Sequence, residues 1–269
     1  NNNVMQTPLI SIVMPIYNRS YCVQDAVRSC IDQQFKDWEL IVVDDGSKDS
    51  DQLVRVLQEF DDERIRYKRI EHTGYISKVR NTGNKMAKAD IIVVHDSDDM
   101  AFPNRLREIY KTFQDNPDID IVYHGMYTRL HDEEHNANAR GWKPTEKFDK
   151  KRLFEEQYIP GQVAYKKDTI LKYPYDERIK CCDDWQMLLE LALNNCKFFA
   201  LDKELYEYVY LEDSINVGGE MSGQRKADME VITDILEKKY NIKAHARMEN
   251  HKLLPDEHQG LAESKRKKQ

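Results

Sequence analysis

Three carboxylates within four residues follow an apolar run in "IIVVHDSDDM", Ile91 to Met100. Asp96, Asp98 and Asp99 repel one another and raise each other's pKa unless something positive lies between them. Hard divalent cations such as Mg²⁺ and Mn²⁺ prefer oxygen ligands, so one chemistry for the cluster is metal binding. The other is an Asp-rich turn with capping value. A second acidic pair, Asp183 and Asp184 in "CCDDWQ", opens a helical pattern. Such a carboxylate can cap the helix, or it can take the proton of a hydroxyl held against it. Polar clusters close two more apolar runs, "PIYNR" (Pro15 to Arg19) and "VVDDGS", which contains Asp44, Asp45 and Gly46. "KVRNTGN" adds Arg80, a cation able to offset phosphate or carboxylate charge or to make a structural salt bridge.

These residues need elements to position them. "LISIVMPI", "WELIVVDD", "RIRYKRI" and "DIIVVHD" are runs of β-formers. Runs apolar on both faces suit a parallel sheet covered by helices. Between them, Val23, Ala26, Val27, Cys30 and Ile31 recur at helical spacing, as do Leu53, Val56, Leu57 and Phe60, and a third pattern covers Ile76 to Met86. Strand and helix in strict alternation predict an α/β doubly wound sheet. Ligands of such sheets bind outside the carboxyl ends of the strands, which is where the polar clusters fall.

The second half is less regular. "RLREIYKTFQ" predicts an amphipathic helix and "DIDIVYHGMYT" a strand. Residues 130–160 read as a long surface loop, a kind of segment that tends to be functional. In "CCDDWQMLLELALNN", Trp185, Leu188, Leu189, Ala192 and Leu193 share one helical face, with Asp183 placed to cap it. "KFFAL" and "LYEYVYL" predict two short strands, and "KADMEVITDILEKKY" a long final helix.

Composition narrows the class. The chain of 269 residues is 40% hydrophobic, enough for a sizeable core. A net charge of −7 gives no nucleic-acid footprint, the short basic end "SKRKKQ" being the exception. That end reads as a solvated terminus, or as a weak contact with an anionic membrane. No apolar stretch reaches the roughly 18 residues a membrane span needs. The first residues carry no signal-peptide pattern and no initiator Met, which a piece excised from a longer protein would show. The five cysteines fit no zinc spacing and read as reduced structural thiols of a cytoplasmic protein.

Taken in order, "SIVMPIYNR", "VVDDGSKDSD", "RNTGNKMA", "HDSDD" and "DDW" resemble the family 2 glycosyltransferases, over roughly Pro8 to Ser214. One D-x-D triplet is a weak signal; five pieces in sequence, each at the end of the appropriate element, are a strong one. The resemblance implies the GT-A fold, with a Rossmann-like, mostly parallel central sheet flanked by helices and a C-terminal acceptor-side region. It implies residues 8–240 as one transferase domain, with 8–100 as the nucleotide-sugar half and 101–240 as the acceptor half. Residues 1–7 are then a disordered lead and 241–269 a tail.

The resemblance also assigns roles. The implied reaction moves a sugar from a UDP-sugar, with inversion, to a hydroxyl of a glycan, lipid-linked or protein acceptor. Pro15 and Tyr17 would line the nucleobase pocket, with Arg19 beside them. Asp45 would accept from the base N–H while Asp44 secures the loop or also faces the nucleotide. Arg80, Asp96, Ser97 and Asp98 would sit against the nucleotide sugar. A Mn²⁺ or Mg²⁺ ion would be held among Asp98, Asp99 and Asp96. Asp184, with Asp183 before it, would be the general base. Leu211 stands where many members carry a further metal-binding His, so that ligand is not expected, and His95 reads as a core histidine. Two rivals are a metal-dependent nucleotidyltransferase and a catalytically silent nucleotide-sugar-binding domain. The first would show a Gly-rich phosphate loop where this chain has "YNRS". The absence of G-x-G-x-x-G after any strand argues against a dinucleotide dehydrogenase.

Overall fold

The structure, a computed structural model, describes residues 7–132, 137–211, 221–247 and 252–255. All but Thr7 of the expected N-terminal lead, Ser214 and the basic end lie outside the described residues.

The first half folds as its alternation requires. It runs β1 (Ile10–Ile16), α1 (Val23–Ile31), β2 (Trp38–Asp44), α2 (Ser50–Gln58), β3 (Ile65–Arg69), α3 (Ile76–Met86) and β4 (Ile91–Val94). These four strands pair in parallel, in the order β3-β2-β1-β4. Side chains alternate across a strand, so each strand divides between two cores. Ile10, Ile12, Met14 and Ile16 meet α1 and α2 on one face, whereas Val13, Ile41 and Val43 meet α3 on the other. Truncating a fully enclosed strand residue such as Ile12 to Ala would cost about 2–5 kcal/mol, because the lost contacts leave a cavity. The chain crosses to β2 and β3 on one side of β1 and to β4 on the other. That reversal opens a crevice at the carboxyl ends of β1 and β4.

The second half adds strands of mixed direction. It comprises β5 (Met100–Ala101), α4 (Arg105–Asp115), β6 (Ile121–Asp132), β7 (Ala137–Lys143), α5 (Lys150–Glu155), β8 (Ala164–Lys166), α6 (Lys167–Lys172), α7 (Asp183–Leu193), β9 (Phe198–Tyr210), α8 (Met221–Tyr240), β10 (Ala244–Arg247) and β11 (Lys252–Pro255). Strand β8 lies antiparallel beside β4, and β6 continues the sheet with β9 parallel to it. The β6–β9 register shifts around Gly125. Beyond that irregularity Met126, Thr128, Tyr208 and Tyr210 line a cleft.

Two expectations are corrected. The stretch read as a loop over 130–160 contains β7, paired to β6, and helix α5 with Leu153 and Phe154 buried. "KFFAL" and "LYEYVYL" are one strand, β9, because Asp202 and Lys203 stay extended between them. Past Tyr240, Ile242 and Ala244 are buried and β10 pairs with β11.

Candidate active site

A cleft of about 1130 Å³ lies over the carboxyl ends of β1 and β4. The loops after β1 and β2 build one end of it and are tied to each other. Asn18 takes a left-handed φ of 52°, which Asn tolerates, and its Oδ1 accepts the Lys48 N–H at 2.8 Å. The Asn18 N–H donates to Ser47 Oγ at 2.9 Å. Gly46 has φ 67°, and a Cβ there would stand 2.7 Å from the His72 backbone N, so the Asp-Gly turn needs its glycine. Tyr17, 38% exposed, stacks on His72 with ring centroids 4.3 Å apart. Asp45 accepts from the Thr73 and Gly74 N–H groups at 2.7 and 2.9 Å.

Of the expected residues, Pro15, Tyr17, Arg19, Asp45, Arg80, Asp96, Ser97, Asp98, Asp183 and Asp184 line this cleft. Two others are not brought to it. Asp44 is enclosed and accepts from Ser47 N, Ser50 Oγ and Tyr67 Oη at 2.8, 2.6 and 2.6 Å. Burial pushes its pKa up, but those hydrogen bonds outweigh burial and hold it below the ordinary carboxylate value. Asp44 therefore anchors the loop instead of facing a nucleotide. Asp99 is also enclosed, with Oδ1 accepting the Val209 N–H at 2.9 Å, so it pins β9 to the acidic turn. Burial first, then the charges of Asp98 and Asp96, raise its pKa well above the usual range. Enclosed and locked to the backbone of β9, Asp99 does not line the cleft.

The centre of the site is Arg80, buried on α3. Its Nε donates to Asp183 Oδ2 and its Nη2 to Asp96 Oδ1, both at 3.0 Å. One guanidinium thus joins the acidic turn after β4 to the acid pair that opens α7. Burial favours a neutral Arg80, yet Asp96 and Asp183 raise its pKa well above the ordinary value. Burial also pushes Asp96 up, but Arg80 and a 2.8 Å hydrogen bond from Gln162 Nε2 bring it below the usual range. Asp183 is pushed up to about 6 by burial, against the pull of Arg80. Asp184 is raised by burial too, with Gln157 and Arg80 opposing. It accepts from Gln157 Nε2 at 2.7 Å and from the Trp185 N–H at 2.8 Å.

Below the cleft, Arg105 is wholly enclosed and donates to the carbonyls of Val94 and Gln162 at 2.9 and 3.2 Å. Its Nε donates to His124 Nε2 at 3.1 Å, and its guanidinium lies over Tyr206, 4.5 Å from the ring centroid. The Tyr206 hydroxyl accepts the Asp96 N–H at 3.0 Å. His95 is enclosed, with burial holding its pKa down at about 3, and is the core histidine expected. Cys181, Cys182 and Asp228 bring three ligand atoms within 4.8 Å of one another. Both Asp228 oxygens, however, accept backbone N–H groups of Lys180, Cys181 and Cys182 at 2.7–3.1 Å. This group anchors α8 to the approach to Asp183.

Sequence reasoning missed His72, Lys143, Gln157 and Gln162. His72 and Lys143 follow or end irregular strands with no motif around them. Gln157 and Gln162 flank the "IPG" turn, which carries no motif of its own. Asp96 and Asp98 offer hard oxygen donors on one wall of the cleft, which fits a Mg²⁺ or Mn²⁺ ion.

A Rossmann-like half-sheet with an acidic turn at its switch point, facing a second acid pair across an arginine, defines a GT-A glycosyltransferase. Residues 11–172 match the family model "Glycosyl transferase family 2", and the chain belongs to that family. It is a glycosyltransferase. It is 37% identical over 192 residues to the UDP-Glc:alpha-D-GlcNAc-diphosphoundecaprenol beta-1,3-glucosyltransferase WfgD of Escherichia coli, covering 71% of this chain and 72% of that one. In structure it resembles S. aureus TarS 1-349 in complex with UDP-GlcNAc, with TM-score 0.62, 16% identity, and coverage of 85% of this chain and 73% of that one. It also resembles the mannosyltransferase PcManGT from Pyrobaculum calidifontis in complex with GDP-Man and Mn²⁺. That likeness has TM-score 0.63 at 14% identity, over 88% of this chain and 65% of that one. Among the described residues no helix is long and apolar enough to cross a membrane.

Proposed function

We propose that this glycosyltransferase moves a sugar from a UDP-sugar to an acceptor hydroxyl with inversion, using a divalent metal and Asp184 as general base. The observation that carries the reading is Arg80, whose hydrogen bonds to Asp96 and Asp183 join the acidic turn after β4 to the acid pair that opens α7, so that Asp96 and Asp184 line one cleft. Residues 8–100 form the donor half and 101–240 the acceptor half of one transferase unit.

The uracil ring lies on Tyr17, which His72 backs. Each Asp45 oxygen keeps a lone pair beyond its backbone bond, so one can accept the uracil N3–H. Asp96 and Asp98 would hold the Mn²⁺ or Mg²⁺ ion. That ion supplies Lewis-acid stabilisation of the departing diphosphate. Asp184 takes the proton of the acceptor hydroxyl as its oxygen bonds to the anomeric carbon. The bond from that carbon to the diphosphate breaks on the opposite face, and UDP leaves with the bonding pair. Burial raises the pKa of Asp184, which makes its carboxylate a stronger base than that of an exposed aspartate. The acceptor hydroxyl belongs to a glycan, a lipid-linked acceptor or a protein. The likeness to WfgD, a UDP-Glc:alpha-D-GlcNAc-diphosphoundecaprenol beta-1,3-glucosyltransferase, supports the lipid-linked class.

A donor screen tests this. Nucleotide release is followed from UDP-glucose, UDP-GlcNAc and GDP-mannose, with and without Mn²⁺, beside an Asp184→Asn control. Mn²⁺-dependent release from one UDP-sugar, lost in the control, is expected. Release from GDP-mannose alone would overturn the UDP assignment.

A further inference from the structure

The segment between α5 and β8 touches both carboxylates of the site. Gln157 Nε2 donates to Asp184 Oδ2 at 2.7 Å, and Gln162 Nε2 to Asp96 Oδ2 at 2.8 Å. Between them, the backbone of Gly161 presses on the same acid. A Cβ at Gly161 would stand 2.4 Å from Asp184 Oδ2 and 2.9 Å from its Cβ. The segment is itself fixed. Tyr158 and Ile159 are buried, Arg105 Nη2 donates to the Gln162 carbonyl, and the Val94 N–H donates to the Val163 carbonyl at 2.9 Å. The strap is thus fastened to the end of β4, the strand that delivers Asp96.

We infer that Gln157 is the positioning residue for Asp184, and that residues 157–162 act as a strap setting the base at a fixed place relative to Asp96. The inference rests on the reading of Asp184 as general base. An aspartate at the start of a helix can turn about its χ angles. Here Oδ1 is held by the Trp185 N–H and Oδ2 by Gln157, which fixes the carboxylate plane. The missing Cβ at Gly161 lets the strap close on it. Gln is suited to this task because it is neutral. It orients the carboxylate and favours its charged form without forming an ion pair that would quench its basicity. The charged groups that also act on Asp184 are Asp183 beside it, Arg80 from α3, Asp96 from the turn after β4, and Lys143 at the end of β7.

The test uses the full chain and its Gln157→Ala, Gln157→Glu, Gly161→Ala and Asp184→Asn variants. UDP binding in Mn²⁺ is measured by calorimetry, and sugar release from the donor across pH. Gln157→Ala is expected to bind UDP within twofold of the parent, while kcat falls about 10- to 100-fold through misplacement of the base. The acidic limb of its kcat/KM profile moves to higher pH, because a bond favouring the carboxylate is gone, and Gln157→Glu moves it further. Gly161→Ala is expected to lower kcat with UDP binding intact. An unmoved acidic limb in both Gln157 variants, with kcat within threefold of the parent, would overturn the inference. Full activity in Asp184→Asn would instead overturn the base assignment, whatever the Gln157 variants do.

Discussion

Replacing Arg80 by Met keeps most of its aliphatic volume and removes the one cation shared by Asp96 and Asp183. The three side chains are 8%, 19% and 5% exposed, so water screens them little. Breaking a buried ion pair by deleting one partner costs about 3–5 kcal/mol, since the remaining charge is left in a poor solvent. At about 2–4 °C per kcal/mol for a chain of this size, melting should fall by roughly 6–20 °C near pH 8. The loss must depend on pH. In the parent, the lowered pKa of Asp96 contributes stability above the ordinary carboxylate pKa, lost as pH falls through its folded value. Asp183, raised to about 6, behaves oppositely: its ionisation costs stability above about pH 6, and protonation below relieves it. Without Arg80, burial raises both acids unopposed, and the folded variant takes up protons as pH falls. The penalty is therefore largest at pH 8 and shrinks toward pH 5. Thermal melts of both proteins at pH 5, 6.5 and 8 read this directly. A drop under 2 °C at pH 8, or the same drop at pH 5 and pH 8, would refute the reasoning.

Two further predictions separate residues that look alike in sequence. Asp98→Ala should raise the Mn²⁺ concentration needed for half-maximal activity at least tenfold. Asp99→Asn should leave that concentration and the melting temperature almost unchanged, because an amide oxygen can still accept the Val209 N–H; a large rise in the Mn²⁺ requirement would return Asp99 to the metal. Tyr17→Ala should weaken UDP binding by about 0.5–1.5 kcal/mol, the worth of one aromatic contact, up to roughly tenfold in Kd by calorimetry. An unchanged Kd would place the base elsewhere.

The parallel half of the fold was legible because β1, β2 and β4 are runs buried on both faces and each helix shows its buried stripe, as with Ile10 to Ile16 and Val23 to Cys30. The site's acids were legible because Asp45, Asp96 and Asp98 follow those strands and Asp183 and Asp184 open a clear helix. What was hidden depends on distance in sequence. Arg80 and Asp183 are 103 residues apart, and Gln162 and Asp96 are 66 apart. No local period encodes such pairs. Asp98 and Asp99 are adjacent and chemically identical, and only the pairing of β9 decides which of them is enclosed. The loop reading of 130–160 failed because β7 has a polar, irregular sequence and owes its extended form to β6.

The central claim is a UDP-sugar held through a divalent ion beside a general base. Asp184→Asn makes the direct measurement feasible, since it should stop turnover and leave binding at equilibrium. Titrating UDP-glucose and UDP-GlcNAc into this variant, first with Mn²⁺ and then with EDTA, should show saturable binding of at least one donor in Mn²⁺ and its loss in EDTA. Equal binding in EDTA, or binding of neither donor in Mn²⁺, would contradict the account.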